Sequence, residues 1–255
     1  MLTLGAPPQS PLCSCLPMSA SRQIRAALQQ IESARSEVRA SSALTCAVRE
    51  VKRYQSQRFA TTYQDMLTSD IYGRCARFFL EELYSECDYT QRDAQFAKVA
   101  GVIDATFPEP VIDLTVTLAQ LHLATETLDL RMAQVWREAP HLVAGQRYAR
   151  AWAALDSQAD RQWQLDTVLG IGRELGKLTR KPTLRLLLKM MRQPAKVAGL
   201  GELQRFLESG FDHFAELSKR PQALKDFLST IQTREQAWID QLETTTTPAC
   251  ESPVG

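Results

Sequence analysis

His122, Glu126 and Asp129 follow one another at i, i+4 and i+7, the spacing that sets three side chains along one side of an α-helix. A histidine beside a carboxylate can act as a general base. The same three residues could also contribute metal ligands, and buried carboxylates acquire shifted pKa values. A pocket closing on this line would draw on Arg77 and Tyr84. A purely structural reading is preferred: a buried polar network tying this helix to arginines such as Arg53, Arg58, Arg77 or Arg92. A di-metal bundle site needs two Glu-x-x-His pairs and two further carboxylates. The chain has three histidines, and its single E-x-x-H, Glu138 to His141, is interrupted by Pro140. No metal and no cofactor is expected.

The element that must position the line runs from about residue 110 to 138. Projected at about 100° per residue, it carries two apolar arcs. One holds Leu114, Leu118, Leu121, Leu128, Met132 and Trp136; the other holds Ile112, Val116, Leu123 and Leu130. The His–carboxylate line falls between them. Asp113, Gln120, Ala124, Thr127 and Arg131 form the opposite, solvent side. A helix apolar around so much of its circumference belongs at the centre of a bundle, so the line is expected to point inward.

A second feature is a charge block. Residues 173–196 contain eight basic side chains and one acidic one, net +7, whereas residues 61–172 hold nine basic and sixteen acidic, net −7. Lys181, Arg185, Lys189 and Arg192 are the candidate partner-binding surface, and an acidic protein is the partner they suit. Internal pairing with an acidic helix is the competing explanation, since the broad Leu/Met face of this segment suits burial in a bundle. No aromatic residue lies between Trp163 and Phe206, so base-stacking platforms are missing and no nucleic acid is expected.

A third feature, Gly170-Ile-Gly172-Arg-Glu-Leu-Gly176-Lys177, lacks both the glycine spacing and the Ser/Thr after lysine of a phosphate-binding loop. Close helix packing explains its small residues better.

The chain has 255 residues, a net charge of +1 and 44% hydrophobic residues, enough for a substantial core and ordinary for a globular protein. Glycine is sparse and hairpin turn signals are missing. The class expected is all-α: a single bundle of about nine helices over residues 19–243, with tails at 1–18 and 244–255. Asp70 is expected to cap the helix that follows it. Thr90/Asp93 and Ser157/Asp160 have capping-box form. No apolar run reaches the roughly 18 residues of a membrane span. Six cysteines without a CxxC pair and no signal-peptide pattern point to a reducing cytoplasm.

The stretches RFFLEELYSECDYTQRDAQFAKV, LHLATETLD, PAKVAGLGELQRFLESGFDHF and FLSTIQTRE resemble an uncharacterised family of helical proteobacterial proteins, over about residues 44–243. The resemblance implies a bacterial, cytoplasmic, all-helical protein. It assigns no activity, cofactor or catalytic residue.

Overall fold

A computed structural model describes residues 18–82 and 87–246, and these form twelve helices and no strand. In chain order they are α1 (Ala20–Arg39), α2 (Ser42–Thr62), α3 (Gln64–Leu67), α4 (Gly73–Glu82), α5 (Thr90–Thr106) and α6 (Glu109–Trp136). There follow α7 (Ala144–Leu155), α8 (Gln158–Leu178), α9 (Pro182–Met190), α10 (Arg192–Val197), α11 (Gly201–Ser218) and α12 (Pro221–Thr246). The number exceeds nine partly because the chain breaks at Tyr63, releasing α3, and at Met191, separating α9 from α10. Helix α12 also runs three residues into the expected C-terminal tail. The expected N-terminal tail lies almost wholly outside the described residues.

Helix α6 is the centre. It packs against α1, α2, α7 and α8, and it supplies residues to all three apolar clusters. Leu128, Leu130, Met132, Ala133 and Trp136 join the largest, with α2, α3, α4, α7, α8, α11 and α12. Ala119, Val116 and Leu123 meet Ile24, Ala27, Leu28 and Ile31 of α1. Leu114, Leu118 and Leu121 meet Ile171 and Leu178 of α8. Along the N-terminal half of α6 the two arcs read from the sequence are met by different partners, α8 for Leu114, Leu118 and Leu121 and α1 for Val116 and Leu123. Leu130 of the second arc instead joins Leu128, Met132 and Trp136 of the first in the largest cluster.

The glycines of α8 work as packing gaps. A Cβ on Gly172 would stand 2.6 Å from Leu228 Cδ2, and one on Gly176 would collide with Leu224. Both leucines belong to α12. Their side chains occupy the space a larger residue would need.

Helix starts depart from the sequence reading in three places. Ser69, not Asp70, accepts the backbone amides of Ile71 and Tyr72 before α4. Asp88 accepts the amide of Thr90 at 2.9 Å, which frees Asp93 from capping. Ser157 precedes α8 but makes no side-chain cap bond, and Asp160 faces Arg131 instead.

Candidate functional site

The His–carboxylate line of α6 does face inward, towards α1, α2 and α5. Asp129 is 3% exposed; the side chains of Glu126 and His122 are 10% and 21% exposed. Each is met by a residue that the sequence reading did not single out as a partner. His122 Nε2 lies 2.8 Å from Asp93 Oδ2 on α5. The same oxygen lies 2.8 Å from Arg35 Nη1 on α1. The second Arg35 nitrogen, Nη2, reaches Glu126 Oε1 at 3.4 Å, and Lys52 Nζ of α2 donates to that oxygen at 2.8 Å. Lys52 also stands 4.0 Å from Asp129 Oδ2, and Gln55 Nε2 donates to Asp129 Oδ1 at 3.0 Å.

The short contact to Asp93 requires a proton on His122 Nε2. The 3.4 Å approach of Arg35 Nη2 to the same nitrogen is then a close passage of two donors, and Arg35 serves the two carboxylates.

Electrostatics follow from this arrangement. Burial alone would raise the pKa of Glu126, but Lys52 and Arg35 outweigh it and hold the carboxyl down at about 2. Asp129 is raised, because burial dominates and Lys52 compensates only in part. Lys52 is raised: burial opposes its charge, and Asp129 and Glu126 together prevail.

These partners carry a sequence signal. On α1 the apolar stripe Ile24, Leu28, Ile31 continues to Arg35. On α2, Lys52 and Gln55 lie four residues after Val48 and Val51. A charged or amide side chain at the next position of a core stripe must find a buried partner.

Two of the arginines named in the structural reading, Arg77 and Arg58, are directed elsewhere. Arg77 Nη1 donates to the Leu67 carbonyl at 2.7 Å, Arg58 pairs with Glu235 at 2.6 Å, and Tyr84 lies outside the described residues. Arg92 touches the network only at its margin, 3.9 Å from Asp93. Its guanidinium is stacked between the rings of Tyr89 and Phe206, 3.9 and 4.4 Å from their centroids.

Two hollows in the surface lie away from this line. A cleft of about 220 Å³ is lined by Asp70, Ile71, Arg74, Cys75, His213, Glu216 and Leu217. Burial pushes the Cys75 thiol up to about 12, and it donates to the His213 carbonyl, so the cleft contains no activated sulfur nucleophile. The other, about 10 Å³ between Arg185, Lys189, Arg192 and α11, has no room for a ligand. Among the described residues no group of three or more His, Cys, Asp or Glu is placed to hold a metal, and no helix is long and apolar enough to cross a membrane.

Within residues 181–196 the five cations divide into two sets. Arg185 bonds to Asp212 at 3.0 Å, and Arg192 Nε bonds to Glu208 at 2.7 Å; these pairs fasten α9 and α10 to α11. Lys181, Lys189 and Lys196 make no ion pair with the described residues. The broad Leu/Met face, expected to suit burial, is only half covered. Helix α9 buries no residue completely, and Leu186, Met190 and Val197 are 59%, 66% and 89% exposed.

A family model described as a domain of unknown function, DUF8198, matches residues 34–248, and the chain belongs to that family. No curated protein and no solved structure matches it.

Proposed function

We propose that this chain is a non-catalytic helical interaction protein that docks an acidic protein partner on α9–α10. The observation carrying this reading is the exposed apolar stripe of Leu186, Met190 and Val197 beside exposed lysines that make no ion pair among the described residues. Contiguous exposed apolar side chains rimmed by charge mark interaction sites. The His122 line, by contrast, is closed by cations from neighbouring helices. A cytoplasmic setting is part of this reading, since six cysteines without a CxxC pair suit a reducing compartment.

The test is capture of a partner by full-length protein across a salt titration, with charge reversal at Lys181, Lys189 and Lys196. The reading predicts capture that weakens with salt and is lost on reversal. Capture indifferent to both would remove this surface from consideration.

A small-molecule or acid–base role at His122 has one observation in its favour, an imidazole paired with a carboxylate and still 21% exposed. Ligand-induced perturbation of the His122 ring resonances would support that reading.

A further inference from the structure

The polarity of the α9–α10 surface specifies more than a negatively charged partner. Only Met191 separates the two helices, and its backbone stays in the right-handed helical region at φ −73°, ψ −12°. The amide of Ala195 still bonds to the Met191 carbonyl at 2.8 Å. Pro194 has no amide to donate to the preceding turn, yet the Ala198 amide bonds to its carbonyl at 2.9 Å, so α10 follows α9 as a rod interrupted only at Met191. Projected at about 100° per residue, Leu186, Met190 and Val197 fall within an arc of about 40°. Ala195, buried, and Leu188, whose carbonyl accepts from Gln204 of α11, mark the inner side. Lys189 and Lys196 lie together along one edge of the outer stripe. From Leu186 to Val197 the stripe is about 16 Å long, or three helical turns.

We infer that this rod receives an amphipathic helix of another protein, its apolar face covering Leu186, Met190 and Val197 and its carboxylates meeting Lys189 and Lys196. The inference rests on the interaction reading above. Charge complementarity carries it: no acidic residue occurs between Glu174 and Glu202, while Arg185 and Arg192 are held by Asp212 and Glu208. The cations left over sit beside the apolar stripe. A helical occupant fits because ridges of side chains at i and i+4 pack into those of another helix, and among the described residues there is no sheet edge for a strand to extend. Met190, unbranched and polarisable, suits such a contact. Paired with the same rod of a second copy, it would meet no carboxylate, and antiparallel self-pairing sets lysine edge against lysine edge. A lipid surface is disfavoured by the lack of aromatic residues from 164 to 205.

The probe is a dye-labelled synthetic helix of about 14 residues, with a leucine face flanked by glutamates, measured by fluorescence anisotropy against the full chain. A second peptide replaces every glutamate by glutamine. The glutamate peptide is expected to bind, and the glutamine peptide about tenfold more weakly. Met190→Ser and Leu186→Ser each reduce affinity about tenfold, with helix content unchanged by circular dichroism because both residues are exposed. Lys189→Glu/Lys196→Glu reverses the preference towards a lysine-flanked peptide.

Equal binding of the glutamate and glutamine peptides overturns the inference. So does failure of both peptides while the full chain still captures a salt-sensitive partner; the interaction reading then stands, but its partner is not an acidic helix. Loss of capture as well brings down both. Co-sedimentation with vesicles of phosphatidylserine and phosphatidylcholine, without peptide binding, reassigns the stripe to lipid and overturns the inference.

Discussion

His122 Nε2 and Asp93 Oδ2 are 2.8 Å apart, and Arg35 Nη1 is equally close to that carboxylate oxygen. A histidine–aspartate pair invites comparison with a catalytic dyad, in which the carboxylate orients the imidazole and stabilises its cation. Here the Asp93 oxygen that meets His122 is shared with Arg35, so the carboxylate belongs to an ion pair as well as to the imidazole. The pair instead ties α5 to α6 through a guanidinium from α1.

Asp93→Ala should therefore lower unfolding free energy by about 3 kcal/mol, the loss expected when a buried ion pair keeps only one partner. A helix cap, the role its place in Thr90-x-x-Asp93 suggests, would account for about 1 kcal/mol. Urea denaturation separates the two values.

Glu126 and Lys52 form a close ion pair on the α6 line, 2.8 Å apart. Glu126→Gln and Lys52→Met should each destabilise, and the double variant should recover part of the loss, with a coupling of about 2 kcal/mol. Additive losses would show that the two side chains do not act together.

Acid should weaken the fold through Glu126. A carboxyl held at about 2, below its ordinary 4.5, contributes stability that is fully present above the ordinary value and is lost as pH falls through about 2. Unfolding midpoints followed from pH 6 to pH 2 should drop less steeply in Glu126→Gln than in the parent. Asp65 is held equally low by Arg234, but it is exposed, and solvent screening leaves Asp65→Asn with little effect. Asp129 has the opposite sign. Its raised value means the ionised form is disfavoured by folding, so Asp129→Asn should be neutral or stabilising at pH 7.

Close packing of α8 against α12 gives an independent check. Gly172→Ala and Gly176→Ala place a methyl group against Leu228 and Leu224 and should each destabilise by about 1–3 kcal/mol, despite alanine's better helix propensity. Thermal unfolding measures it.

Thiol chemistry should distinguish two cysteines. Cys46 is exposed, whereas Cys75 is buried with its thiol pushed up to about 12. Mass-spectrometric mapping after native alkylation should find Cys46 modified and Cys75 protected.

The fold class and the inward direction of His122, Glu126 and Asp129 were legible because helical periodicity records which side of α6 lacks solvent. The partners were harder. Arg35, Lys52 and Gln55 continue apolar stripes, and that signal is readable only when a polar side chain is treated as part of the stripe it interrupts. Asp93 was hidden by a local pattern that also describes a cap; Asp88 serves the Thr90 amide instead. The exposure of Leu186 and Met190 was not readable at all, since an amphipathic stripe gives the same periodicity whether a neighbour covers it or not. Charge counting found the 173–196 block but could not say that Arg185 and Arg192 would bond to α11 while Lys189 and Lys196 stayed exposed without an ion pair among the described residues.

The measurement that bears most directly on the account compares partner capture by two folded variants, Glu126→Gln and Lys189→Glu/Lys196→Glu, with that of the parent chain at matched salt. The account predicts that the buried variant, below its unfolding temperature, captures as the parent does, and that the surface variant does not. Capture lost with Glu126→Gln and kept with the reversed lysines would contradict it, and would return the functional site to the His122 line.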